Sequence, residues 1–347
     1  MNFASDNAGG VHPRVMAALA AANEGQVPSY GTDRITRAAQ DRVREVFEAP
    51  DASVHFVMSG TAANALSLSL LAPGWGKIYC HSDAHIQTSE TGSPEFFTGG
   101  AKLLLVPGDD GRITPAALSR ALAANGRDSV HAGANMALSL TNATEWGTVY
   151  DPAEVATLSA IAREMGLSVH MDGARFANAL AALQVSPADL TWRAGVDILS
   201  LGATKNGCMG VEAVVIFDPE KAEEFEFRRK RGGQLASKHR YLSAQILAWL
   251  EGGLWLDLAG RANATAAELA VGLAAFPGVS IDQKVQTNAV FATLPRALHD
   301  KARAAGAQYH LWPHDQAEDG DEPVSIRLVA GWDADPADVR AFLSALA

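Results

Sequence analysis

Cysteine is scarce, with only Cys80 and Cys208 in 347 residues. Two thiols so far apart form neither a disulfide framework nor a metal cluster. We expect no metal and a reduced, cytoplasmic setting. Basic residues are outnumbered 28 to 39, for a formal charge of −11. That argues against a nucleic-acid surface, which needs a basic stripe. No apolar run approaches the ~18–20 residues that span a bilayer, so no membrane partner is expected. Met1-Asn2-Phe3-Ala4-Ser5-Asp6 has neither a basic n-region nor an apolar h-region, so no secretory leader is expected. Repeats and low-complexity tracts are also missing, beyond a richness in alanine. Apolar residues make up 48% of the chain, enough for a large core. The length allows one large domain plus a smaller one.

The chain alternates short apolar runs with helical spacing, as an α/β fold does. Strand-like runs are 52–58, 77–80, 102–106, 135–140, 169–171, 196–201 and 211–217. The fifth ends at Asp172, and open α/β sheets bind ligands at the carboxyl ends of their strands. Lys205 follows the sixth run between Gly202 and Gly207, which permit close backbone approach. Singly, the acid reads as a helix cap and the lysine as solvated. As a pair on neighbouring strand ends they suit pyridoxal phosphate. The amine forms the Schiff base, and the acid keeps the pyridine nitrogen protonated.

Other stretches supply the remaining parts. Ser59-Gly60-Thr61 lies between a strand and an apolar helix, a geometry that presents amide groups to an anion. Gly60 admits a phosphate, and the Thr61 hydroxyl can donate to it. His81 and His85 follow the second strand, with Glu90 beyond. They are either loop histidines or the source of one imidazole packed on a cofactor ring. Asn142 follows the fourth strand and serves either a cofactor hydroxyl or its own turn. Residues 228–231 are a dense basic run, either a solvated helix end or a site for an anion across a subunit interface. Residues 242–258 read as one apolar helix. After Pro277 strands at 288–293, 308–312 and 324–329 alternate with helices. Arg327, inside the last, needs an anion, which is either a substrate carboxylate or an internal partner.

Taken together, these stretches resemble the L-threonine aldolases of the low-specificity, phenylserine-aldolase-like kind. These are aspartate-aminotransferase-like pyridoxal phosphate enzymes of fold type I. The resemblance covers nearly the whole chain. It rests on Ser5-Asp6-Asn7, Pro28-Ser29-Tyr30-Gly31, Ser59 to Asn64, Asp172-Gly173-Ala174-Arg175, Lys205, Arg229 to Lys238 and Arg327. It implies a large domain, 13–250, with a mostly parallel seven-stranded sheet, and a small α+β domain, 251–347. Residues 1–12 would contribute to the active site. It implies retro-aldol cleavage of L-threonine, L-allo-threonine and related L-β-hydroxy-α-amino acids to glycine and an aldehyde. A β-eliminating lyase or aminotransferase of the same fold is the alternative.

The resemblance also assigns residues. Lys205 holds the cofactor and Asp172 pairs with its ring nitrogen. Ser59, Gly60 and Thr61 bind phosphate, and Asn142 and Arg175 lie against the cofactor. His85 stacks on the ring, and Glu90 orders a water or proton relay. Ser5, Arg175 and Arg327 hold the substrate carboxylate. Tyr30 and His131 approach the β-hydroxyl. A homotetramer with shared sites would bring Arg229 and Arg231 to a partner's site. The segment Thr141 to Gly147 departs from the family pattern, with Trp146 where a small or polar residue is usual. That points to aromatic β-hydroxy substrates such as phenylserine.

Overall fold

The computed structural model describes residues 1–126, 128–313 and 320–347. All seven apolar runs form strands of one sheet. They are β1 (Ser53–Val57), β2 (Gly76–His81), β3 (Lys102–Val106), β4 (Ala134–Thr141), β5 (Ser168–Gly173), β6 (Ile198–Gly202) and β7 (Glu212–Ile216). Their order is β1-β7-β6-β5-β4-β2-β3, and only β7 runs against its neighbours. Continuous burial of β2, β6 and β7 explains their unbroken apolar character, because helices cover both faces. On one face the helix Gly60–Leu71 packs Ala63 and Leu66 over Ile78, Ala137, Ile198 and Val214. The larger core fills the other face.

A second, antiparallel sheet contains β8 (Ser280–Ile281), β9 (Ala289–Leu294), β10 (His310–Leu311) and β11 (Val324–Val329), in the order β10-β11-β9-β8. Val290, Ala292, Ile326 and Leu328 face helices Leu254–Ala274 and Pro336–Leu346. This is the seven-stranded large domain and small C-terminal domain of fold type I that the sequence implies. The first residues join the small domain. Phe3 is buried in its core, and the Phe3 amide donates to the Gln308 carbonyl at 2.8 Å.

One helix needs correction. Residues 242–258 are not continuous but belong to Arg240–Leu250 and Leu254–Ala274. Gly252 and Gly253 between them take φ of 62° and 75°. Left-handed backbone is cheap for glycine alone, so the pair turns the chain. No helix among the described residues is long and apolar enough to cross a membrane.

Candidate active site

The carboxyl ends of β4, β5 and β6 lie side by side, with Thr141 opposite Asp172 and Gly173 opposite Leu201. Gly202 ends β6 where a Cβ would sit 2.4 Å from the Ala174 carbonyl oxygen, so only glycine lets the two strand ends meet. A single 3-10 turn, Thr204–Asn206, then presents Lys205. Among the described residues its ammonium has no hydrogen bond or ion pair. The Arg175 cation, followed by burial, holds its pKa below the usual lysine value. That favours the neutral, nucleophilic amine.

Asp172 is buried and anchored at both oxygens. Oδ1 accepts from the Ala174 amide at 3.0 Å, and Oδ2 accepts from Asn64 Nδ2 at 2.8 Å. The same Asn64 nitrogen donates to Glu90 Oε1 at 2.9 Å, and that oxygen lies 2.8 Å from His85 Nδ1. One amide from the helix Gly60–Leu71 therefore links the strand-end acid to the His85–Glu90 pair. The bond to Glu90 outweighs burial and raises the His85 pKa. Burial raises that of Glu90.

The two arginines differ. Arg175 Nε and Nη2 donate to both oxygens of Asp6, at 2.7 and 2.9 Å, and Asn288 Nδ2 adds a third bond at 3.0 Å. Burial acts to raise the Asp6 carboxyl, but the Arg175 and Lys205 cations and these bonds take it down to about 2. The expectation that Arg175 offers its fork to a substrate is thereby narrowed, because Asp6 holds that edge. Arg327, on β11, has no hydrogen-bonded or ion-paired acceptor among the described residues, and its Nε is buried and unsatisfied. Burial, then the Arg175 charge, lowers its pKa to about 10. Its guanidinium lies 5.7 Å from the Trp312 ring.

Ser59 caps the helix Gly60–Leu71 by accepting from the Ala62 amide at 3.3 Å. The space beside the Gly60 Cα is open, as a phosphate cradle requires. Asn142 is different. Its Nδ2 donates to the Tyr150 carbonyl and its Oδ1 accepts from the Tyr150 amide. Both ends serve the turn, and the second hydrogen of Nδ2 is the one left for a ligand. Ser5 Oγ accepts from the Asn7 amide beside Asp6. Tyr30 is 48% exposed under Lys230, whose Nζ is 4.9 Å from its ring. His131 is exposed in a turn ahead of β4, at the end of that strand opposite Asp172. Eight residues of strand place it roughly 25 Å away, so within one chain it does not join the others. Arg229 is also corrected. It turns inward to Glu226 Oε2 at 2.8 Å, whereas Arg231 remains exposed.

Asp6, Asn64, Glu145 and Glu212 belong to the same neighbourhood without having been singled out from sequence. Glu145 Oε1 accepts from the His85 amide at 2.7 Å, and Glu212 Oε2 accepts from the Ala203 amide at 2.6 Å. Asp6 and Asn64 lie inside two of the motifs that carry the resemblance, whereas Glu145 just past β4 and Glu212 at the start of β7 gave no local signal. A half-buried amine and an arginine that are both without a hydrogen-bonded acceptor among the described residues, an anchored acid one strand away and an open helix start fit a phosphorylated pyridine aldehyde and an amino-acid carboxylate.

Comparison with known proteins agrees. Residues 2–296 match the family model described as beta-eliminating lyase. The chain belongs to the beta-eliminating lyase family. Within that family it is 43% identical to the low specificity L-threonine aldolase of Pseudomonas aeruginosa, over 97% of this chain and 94% of that one. A second Pseudomonas enzyme of the same description is 40% identical over the same shares. The structure of Leishmania major threonine aldolase superposes with a TM-score of 0.92 at 29% identity, covering 99% of this chain and 98% of that one. An aspartate aminotransferase from Rhodobacter sphaeroides shares the fold alone, at TM-score 0.70 and 18% identity, covering 100% of this chain and 93% of that one. The threonine aldolase resemblance read from motifs thus holds across both domains.

Proposed function

We propose that the protein is a pyridoxal-phosphate-dependent lyase. It cleaves L-threonine, L-allo-threonine and related L-β-hydroxy-α-amino acids to glycine and an aldehyde. The observation that carries this is the unpaired, acidified Lys205 set beside Asp172, with Arg327 unpaired in the same cleft. When bound, the cofactor supplies a conjugated sink for the electron pair released at the α-carbon. Lys205 would hold it through its side-chain amine. Asp172 keeps the ring nitrogen protonated, and Asn64 keeps Asp172 in place. Ser59, Gly60 and Thr61 meet the phosphate at the helix start. The Arg327 guanidinium binds the substrate carboxylate, with Ser5 and the remaining Nη1 of Arg175 at its side. His85, braced by Glu90, covers the ring.

His131, too far to act within one chain, and the exposed Tyr30 would act at the site of another copy, as in a homotetramer of the cytoplasm. Met58, 55% exposed beside the phosphate cradle, and Val130, 98% exposed beside His131, support such cover. Trp146 packs on Phe291 and Trp312, 4.7 and 5.9 Å between centroids, next to Arg327. This wall favours aromatic β-substituents such as that of phenylserine.

Lys205→Ala tests the reading. The purified variant should lose the yellow absorption of the bound cofactor and all glycine formation from threonine, allo-threonine and phenylserine. Full activity in that variant, or pyruvate and ammonia or a keto acid as the wild-type product, would overturn it.

A further inference from the structure

Glu145 has one oxygen committed and one free. Oε1 accepts from the main-chain amide of His85, which fixes the carboxyl against the residue that covers the ring site. Oε2 is buried and has no partner. The next residue locks the loop, because Trp146 Nε1 donates to Asp83 Oδ2 at 2.8 Å and the Trp146 carbonyl accepts from Gln283. The charges that face Glu145 come from four elements: His85 from the short helix after β2, Asp172 from β5, Arg175 from the turn after it, and Arg327 from β11. Cys80 of β2 and Tyr150 also feel its charge. The Glu145 carboxyl is thus braced against the main chain of His85 and lies within reach of the charges of both arginines and the strand-end acid.

Retro-aldol cleavage moves one proton from the β-oxygen to the α-carbon. The O–H pair becomes the second bond of the aldehyde, the Cα–Cβ bond breaks, and its pair ends as a C–H bond of glycine. Nothing is oxidised or reduced, so the protein has only to supply a group that takes the hydroxyl proton. His85 is poorly suited, because its pairing with Glu90 favours the imidazolium, which has no free pair. Glu90 also has a buried, unpartnered Oε2, but its Oε1 is engaged by both His85 and Asn64, so its carboxylate is the counter-charge of His85 rather than a free acceptor. We propose that Glu145 is the catalytic residue that accepts the β-hydroxyl proton through Oε2. Burial and the Asp172 charge raise its pKa to about 7, a value suited to taking and returning a proton at neutrality.

This rests on the lyase reading above, and Glu145→Gln separates the two. The amide oxygen still accepts from the His85 amide, so the loop keeps its anchor while the proton acceptor is lost. We expect kcat for cleavage to fall about 100-fold or more, and the limb of the pH profile near neutrality to vanish. The absorption of the bound cofactor, the melting temperature and glycine affinity, read from the cofactor spectrum, should stay as in wild type. Difference infrared spectra of the holoenzyme should show a buried carboxyl that ionises near neutrality and is missing in the variant. Glu212, also raised to about 7, titrates in both and cancels. Wild-type kcat and pH limb in Glu145→Gln would overturn the proposal, as would loss of cofactor or glycine binding, which means a scaffolding role. If that variant does not fold, Glu145→Asp replaces it. A lowered kcat with a displaced limb supports the proposal, and an unchanged profile overturns it. A wild type that makes no glycine and aldehyde sinks the lyase reading instead.

Discussion

Arg175 and Arg327 are two copies of one side chain in one cleft, and Arg327 feels the charge of Arg175. The chain has given Arg175 its own anion, Asp6, with two short bonds and a third from Asn288. It has left Arg327 with a buried, unsatisfied Nε. A buried cation without a counter-ion is costly, and the cost is offset when a ligand supplies the charge. The contrast separates two uses of arginine. Arg175 joins the first residues to the end of β5 and fixes the floor of the site. Arg327 has no hydrogen-bonded acceptor among the described residues, which is what an anion-binding role would require.

The sharpest way to break this contrast is to remove each arginine and compare stability with substrate use. Arg175→Met strands the Asp6 carboxylate and should cost roughly 3–5 kcal/mol of folding stability. The urea midpoint measures it, and adding Asp6→Asn should restore part of the loss. A wild-type midpoint for the single variant would mean the pair contributes little. Arg327→Met should act the other way round. Loss of the carboxylate contact should lower kcat/KM by about 2–4 kcal/mol, or roughly 30- to 1,000-fold, largely through KM. Its urea midpoint should fall little, because among the described residues this half-buried guanidinium makes no ion pair for the substitution to break. If that midpoint fell as far as that of Arg175→Met, Arg327 would have a structural partner and the contrast would be lost.

What sequence could and could not show follows the same division. The seven strands were readable because helices bury both faces of the sheet, which leaves bare apolar runs between glycines. Asp172 and Lys205 stood out because a charge directly after such a run is conspicuous. Partners far apart in sequence were hidden. Asp6 and Arg175 lie 169 positions apart, so no local pattern shows that the fork is already held. For Asn142 both uses were open, and two bonds to Tyr150 show the turn role, which no local pattern could reveal. Glu145 reads as a solvated loop acid until the fold closes arginines around it. Arg229 looked like part of an exposed basic run, yet the face of its helix toward β1 takes it inside to Glu226.

The smallest effect is the response to acid. In the folded chain the Arg175 and Lys205 cations, acting against burial, hold the Asp6 carboxyl down to about 2, below the ordinary aspartate value of 3.8. A depressed carboxyl stabilises the fold fully above its unfolded pKa, and that stabilisation is lost as pH falls toward the folded value. The difference amounts to about 2 kcal/mol, of which roughly half is gone by about pH 3. Asp6→Asn has no such carboxyl. The stability gap between wild type and Asp6→Asn should therefore narrow by about 1 kcal/mol between about pH 5 and about pH 3. The gap between wild type and Arg327→Met should narrow less, because among the described residues Arg327 makes no hydrogen bond or ion pair to Asp6 and feels its charge only at longer range. Urea midpoints at the two pH values measure both. A gap for Arg327→Met that narrows as much would reveal a carboxylate partner for that arginine and remove the reason to assign it to a ligand.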